Sequence, residues 1–240
     1  TEDEVAVFNA KFADIAKSTL GPDALPAIDA SPLVYTNFVS GAVDRAYLPL
    51  PSFQKLRNVL DSKLTEYNES NPMMDLVLFE QAMLHVSRIC RIIQNPGGNA
   101  MLVGVGGSGK QSLCRLAAYI NDFQVKQLPI SSTFRVEELK EDLKALYTST
   151  GVKDNRVVFL LTDAHIADEE FLVYINAIIT SGWIADLFTK EEVDGLLGSI
   201  ASAAKAEGIV DTPEARLSYL ISRVRKNLRV VLAFSPVGDT

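Results

Sequence analysis

Apolar positions along the chain keep a helical period, lose it, and regain it before they turn to short continuous runs. Val5, Phe8, Phe12, Ile15 and Ala16 recur at helical spacing, which predicts an amphipathic helix over residues 1–20. Gly21-Pro22 ends it. Residues 21–52 show little periodicity and carry Pro22, Pro26, Pro32, Pro49 and Pro51, with a turn-like Asp29-Ala30-Ser31. Irregular chain of that length is unusual inside a compact domain and is expected to wrap over another surface. Phe53, Leu56, Val59, Leu60 and Leu64 predict a second helix, broken at Asn71-Pro72. Leu76, Phe79, Met83, Val86, Ile89 and Ile93 predict a third, closing at Pro96-Gly97-Gly98.

From residue 100 the pattern alternates. Ala100 to Val103 reads as a buried strand, followed by a glycine-dense turn and then a helix carrying Leu113, Leu116, Ala117 and Ile120. Phe123 to Ile130 predicts a second strand, and Ser132 to Tyr147 a helix with Glu137 and Glu138 in its early turns. Gly151 and Asp154-Asn155 form a turn. Val157 to Leu161 is an apolar run of the kind found in buried parallel strands. Asp168, Glu169 and Glu170 fit the first turn of the next helix, which carries Phe171, Leu172, Ile175, Ile178 and Ile179 and stops at Ser181-Gly182. Trp183 and Phe188 are expected to pack on its apolar flank. Two more helices follow, over 191–206 and after Asp211-Thr212-Pro213-Glu214, and Arg229 to Phe234 predicts the last strand. Strands alternating with helices predict an α/β fold with a central parallel sheet, preceded by a helical and irregular segment. The expected division is 1–52 for that segment and 53–240 for the α/β domain.

The glycine-dense turn carries the chemistry. Gly104-Val105-Gly106-Gly107-Ser108-Gly109-Lys110-Gln111-Ser112 lies between the first predicted strand and its helix. Gly104, Gly109 and Lys110 occupy the fixed positions of G-x-x-x-x-G-K, the phosphate-binding loop of nucleotide-dependent proteins. Glycines let the backbone turn so that successive N–H groups point inward at an anion. The helix terminus adds partial positive charge, and the lysine reaches the outer phosphates. One position departs from the pattern. The residue after the lysine is ordinarily Ser or Thr, whose hydroxyl ligates Mg²⁺, and here it is Gln111. Ser112 stands one residue later, turned by roughly 100° on a helix, away from the ligand position.

The second candidate lies at the carboxyl end of the predicted strand 157–161, where Thr162-Asp163-Ala164-His165 supplies a single carboxylate, Asp163. Met74 to Phe79, just upstream of the first strand, either covers an adenine ring or packs in the core. Arg223, Arg225, Lys226 and Arg229 cluster near the end of the last helix. They read as cations favoured at a helix C-terminus, with a ligand-binding patch as the alternative.

Composition narrows the classes. Apolar residues make up 48% of 240, enough for a sizeable core. The net charge of -7 argues against general binding to nucleic acid or an anionic membrane, and no run of about 18 apolar residues exists to span one. Neither cysteine, Cys90 or Cys114, belongs to a C-x-x-C pair, so both are expected as reduced core thiols. His85 and His165 are isolated, without metal-ligand spacing, and no protein metal site is expected. The first residue is Thr1, which suggests a piece of a longer chain.

Three segments, 99–113, Phe159-Leu160-Leu161-Thr162-Asp163-Ala164-His165-Ile166, and Val231 to Gly238, resemble the fourth AAA+ module of axonemal dynein heavy chains. Pro72 to Phe79 and Ile184 to Phe188 are similar too, and the resemblance covers roughly residues 50–240. It implies a three-layer αβα P-loop NTPase fold within a ring of modules in one heavy chain, driving movement on microtubules in cilia and flagella. The fourth module of such a ring is regulatory. The implied partners are the neighbouring AAA+ modules, microtubules through the stalk, and light and intermediate chains. The implied ligand is ATP or ADP. On the family pattern, Thr162 falls where the magnesium-binding Asp stands and Asp163 falls at the catalytic Glu; a slip of one residue would make Asp163 the metal ligand and Ala164 the missing base. Ser235 stands at the sensor-one position, usually Asn. The arginine-finger segment and the helical lid are expected beyond Thr240. With Gln111 and Thr162 in place, Mg²⁺ would lack direct protein ligands. The expected function is nucleotide binding with slow or absent hydrolysis. An active ATPase using Asp163, or a purely structural module, is the alternative.

Overall fold

A computed structural model of the chain describes residues 1–22, 25–26, 34–39, 46–130, 134–166 and 168–236. The turn expected at Asp29-Ala30-Ser31, Pro32, the helix start expected at Ser132, and Val237-Gly238 lie outside the described residues. The chain divides into two compact units, Thr1–Leu60 and Asp61–Thr240.

In the first unit, α1 (Glu2–Leu20) opens with a capping box: Thr1 Oγ1 accepts the N–H of Glu4, and Glu4 reaches back to the Thr1 terminus. β1 (Tyr35–Thr36) and β2 (Leu48–Pro49) pair antiparallel, Tyr35 opposite Pro49. α2 (Phe53–Ser70) begins in this unit and ends in the next.

The second unit is the α/β domain. Its elements run α3 (Glu80–Gln94), β3 (Ala100–Val103), α4 (Lys110–Ile120), β4 (Gln124–Lys126), α5 (Val136–Tyr147), β5 (Val157–Thr162), α6 (Glu170–Ser181), α7 (Lys190–Ala206), α8 (Pro213–Asn227) and β6 (Leu228–Phe234). The four strands form one parallel sheet in the order β3-β6-β5-β4. β6 is thus inserted between β3 and β5: the chain crosses from β3 to the far edge at β4 and then steps back through β5 to β6. In open parallel sheets ligands bind beyond the carboxyl ends of the strands.

β5 is buried along its whole length, so it reads as a continuous apolar run while its side chains still alternate between two faces. Val157, Phe159 and Leu161 join Leu139 and Leu143 of α5, Phe171 and Ile175 of α6 and Val230 of β6 in one cluster. Val158 and Leu160 face the other side of the sheet, where α4 packs against α3. Helix, sheet and helix are the three layers of a P-loop NTPase-like module. Trp183 and Phe188 stack at the flank of α6, Tyr147 meets both edge-on, and the Tyr147 hydroxyl donates to the carbonyl of Gly182. Cys90 and Cys114 are buried free thiols whose pKa burial pushes up to about 12.

The helix expected from Leu76 begins at Glu80, with Phe79 extended before it. Two later elements also differ from the periodicity. The strand expected over 123–130 pairs with β5 only from Gln124 to Lys126, because the chain leaves the sheet edge to bury Leu128 in the core cluster. The helix expected from Ser132 begins at Val136: Phe134 packs edge-on to Phe171, and extended Arg135 donates its N–H to Glu138 Oε2 at 2.9 Å.

The basic cluster near the end of α8 is partly internal. Arg229 is 1% exposed and lies within β6. Its guanidinium donates to the carbonyls of Ile93, Arg225, Lys226 and Leu228, satisfying acceptors left open at the ends of α3 and α8. Burial, reinforced by Arg156, lowers its pKa to about 10, so it remains a cation at neutral pH.

Candidate functional site

The loop from Gly104 to Gly109 leaves the end of β3 and turns into α4. The N–H of Gly104 donates to Phe234 O at 3.1 Å, continuing the β3–β6 ladder one residue into the loop. Gly107 and Gly109 adopt φ of 76° and 78°, where a side chain costs about 1–2 kcal/mol. At Gly104 the constraint is space: a Cβ would lie 3.2 Å from Ser108 Oγ and 3.7 Å from Lys110 Cδ. Lys110 Nζ folds over that glycine and donates to Gly104 O at 2.5 Å, Val105 O at 2.8 Å and Ser108 Oγ at 3.3 Å. All three ammonium donors are spent on the loop that a phosphate would occupy.

A cavity of about 420 Å³ opens above this loop. It is lined by Gly106, Gly107, Ser108, Gly109, Lys110, Gln111 and Ser112, by Thr162, Asp163 and Ala164 at the end of β5, and by Ala233 and Ser235 of the β6 end. A second cavity, about 530 Å³, lies between Leu76, Phe79 and His85 on one side and Met101, Val103, Gly104 and Val105 on the other. The two share Ser108 and Lys110. A polar chamber and a largely apolar one thus meet at the lysine, the division a nucleotide's phosphates and base require. Every loop residue named from the sequence, Gly104 through Ser112, lines one chamber or both.

Asp163 and Ser235 also meet here. Ser235 donates its backbone N–H to Asp163 Oδ2 at 2.8 Å. Thr162 is buried, and its N–H donates to His165 Nδ1 at 2.8 Å. Because that N–H can only donate, Nδ1 carries the lone pair, and the Thr162 hydroxyl, 2.9 Å from the same nitrogen, donates as well. His165 is 5% exposed, and its pKa is lowered by burial first and then by the Arg115 cation, with the Leu128 carbonyl opposing. Gln111 Oε1 accepts from Gln127 Nε2 at 3.1 Å, and Gln127 Oε1 accepts from Arg115 Nη2.

The donor set suits a nucleotide better than a directly ligated metal. Backbone N–H groups, a helix N-terminus and Lys110 fit polyphosphate. Octahedral Mg²⁺ needs free oxygens. Gln111 offers a neutral amide oxygen that already accepts from Gln127, and Thr162 offers a neutral, buried hydroxyl held to His165 where a carboxylate would serve a cation. The residues present do not fit direct ligation of Mg²⁺ by these two positions.

Sequence reasoning missed His165, Gln127 and Arg115. His165 had a local signal, since a side chain three residues after a strand end can cap the turn it closes. Gln127 and Arg115 had none, because their roles depend on where β4 ends beside α4.

Residues 74–240 match the family described as P-loop containing dynein motor region D4. The chain belongs to that family. This D4 region is 50% identical over 217 residues to the dynein beta chain of the flagellar outer arm of Chlamydomonas reinhardtii, covering 89% of the chain and 5% of that protein. It is 46% identical over 209 residues to dynein axonemal heavy chain 9 of Homo sapiens, covering 87% and 5%. With the ciliary dynein beta chain of Tripneustes gratilla the identity is 45% over 214 residues, covering 89% and 5%. The chain therefore spans about one twentieth of the length of these relatives.

Proposed function

We propose that this D4 region is the fourth AAA+ module of a ciliary or flagellar dynein heavy chain, a regulatory site that holds ATP or ADP with little or no hydrolysis. The observation that carries the reading is the contrast within the phosphate chamber. All three fixed positions of the phosphate-binding pattern, Gly104, Gly109 and Lys110, are present, and Lys110 Nζ, which holds the loop through Gly104 O, would have to turn from it to meet a phosphate. The two positions that would ligate magnesium, Gln111 and Thr162, instead carry neutral groups held by hydrogen bonds to Gln127 and His165. Such a site retains nucleotide while contributing little to in-line attack, which depends on a positioned metal and base. Its partners are the neighbouring modules of the same heavy chain. Through them it acts on a microtubule motor of the axoneme, with light and intermediate chains in the assembled complex.

The test is nucleotide affinity. Lys110→Ala removes the one full positive charge of the loop, and charge-assisted contacts to phosphate exceed neutral ones. ADP affinity by calorimetry is expected to fall at least tenfold, about 1.4 kcal/mol. Equal affinity in wild type and variant would exclude the chamber as the site.

A second reading has one observation in its favour: Asp163 lines the chamber beside Ser235. If Asp163 serves as a base, hydrolysis in single turnover should be measurable in the intact heavy chain and should disappear in Asp163→Asn.

A further inference from the structure

Gln111 is more than a lost ligand; its neighbours decide which end of its amide faces the chamber. Arginine has donors and no acceptor. Arg115 Nη2 donates to Gln127, so the Gln127 carbonyl oxygen must face it. The Gln127 amide nitrogen is thereby turned outward and donates to Gln111 Oε1 at 3.1 Å. That bond holds the Gln111 oxygen toward Gln127 and leaves its –NH₂ group as the free end. Among the described residues Gln111 Nε2 has no hydrogen-bond partner, and Gln111 lines the phosphate chamber beside Lys110.

We propose that Arg115 and Gln127 are positioning residues that orient the Gln111 amide as an N–H donor to a nucleotide phosphate, so that the chamber selects polyphosphate not masked by a metal ion. This rests on the chamber being a nucleotide site. A hydroxyl in the position of Gln111 would offer an oxygen to a cation; the oriented amide offers a hydrogen to an anion, which reverses the polarity of the contact. Thr162 adds no carboxylate in compensation: it supplies only a neutral hydroxyl, held to His165. A merely structural role, tying α4 to the chain after β4, would require the hydrogen bonds but not their direction.

Direction can be tested by reversing it. In Gln127→Glu the side chain has only acceptors. It can still receive Arg115, but it must then receive Gln111 through Nε2, which rotates the Gln111 amide and turns its oxygen toward the phosphates. The measurement is ADP affinity by calorimetry on the full 240-residue chain, in Mg²⁺ and in chelator, with a thermal melt of each variant. Wild type is expected to bind at least as tightly in chelator as in Mg²⁺. Gln127→Glu should lower the chelator-to-magnesium affinity ratio by at least about fivefold, as expected for losing a hydrogen bond to a charged group. Gln127→Leu, which removes the orientation without adding charge, should lower it in the same sense but less. The added carboxylate also repels phosphate, so the cycle includes Gln111→Leu and Gln111→Leu with Gln127→Glu. In the Gln111→Leu background the ratio should change by less than about twofold on introducing Glu.

An unchanged ratio in Gln127→Glu, or an equal change when Gln111 is Leu, would overturn the orienting role while leaving nucleotide binding established. A wild type that binds no ADP in either buffer would overturn the nucleotide site and the orienting role together.

Discussion

Asp163 Oδ2 accepts the backbone N–H of Ser235 at 2.8 Å, joining the carboxyl ends of β5 and β6 across 72 residues of sequence. The contact holds a carboxylate in the lining of the cavity above the 104–109 loop, where a nucleotide bound as proposed would face it.

Asp163→Asn keeps an oxygen for the Ser235 N–H and removes the charge. Two unit charges about 4 Å apart repel by about 1 kcal/mol in water and more at lower effective dielectric. ADP affinity in chelator is therefore expected to rise about three- to tenfold, read by calorimetry. If the variant instead binds more weakly, and only when Mg²⁺ is present, then Asp163 holds the metal and the hydrolytic reading gains.

His165 ties the Thr162 turn to pH. Its folded-state pKa is depressed below 6.5 by burial and the Arg115 cation, so the neutral ring is the folded form. The unfolded chain binds a proton more readily, and the contribution is fully present above about pH 6.5 and lost as pH falls through the folded value. Protonation of Nδ1 would also oppose both Thr162 donors. His165→Ala is expected to cost about 1–3 kcal/mol at neutral pH and to flatten stability against pH in that window, measured by urea unfolding from pH 5 to 8. An unchanged slope would assign the pH dependence to other groups.

Magnesium dependence should be restorable only in concert. Gln111→Thr and Thr162→Asp together supply two oxygens for one ion, so their effects on the Mg²⁺-to-chelator affinity ratio should exceed the sum of the single changes. Asp at position 162 faces the lone pair of His165 and favours its protonation, so Thr162→Asp alone should raise the His165 pKa, visible in an NMR titration of the ring. Additive ratios would show that the two positions do not address one ion.

Arg229→Met preserves length and apolar bulk but leaves the carbonyls of Ile93, Arg225, Lys226 and Leu228 without this donor. Relief of burying the guanidinium offsets part of the loss. A net cost of about 2–4 kcal/mol is expected from the urea midpoint. Arg229→Lys should recover little, since one ammonium lacks the planar fork that reaches several carbonyls. A neutral Arg229→Met would show that water or a shifted helix end satisfies these groups.

Much of this region is legible residue by residue because the forces are local. A strand from Ala100 to Val103, glycines at positive φ and a lysine opening a helix follow from steric limits and hydrogen-bond geometry within about a dozen positions. The buried run of β5 likewise announces a parallel strand. What the chain order could not supply is which way a side chain's donors and acceptors point. Gln111 reads as an absent ligand, and Arg229 as one more cation near a helix end. Their partners come from positions 16 and up to 136 residues away, once the sheet order β3-β6-β5-β4 is formed. The early end of β4 and the late start of α5 after it became visible only in the fold as well, because burying Leu128 and Phe134 outweighs extending either element. Local periodicity determines where helices and strands can form; the direction of a buried hydrogen bond is decided by every group packed around it.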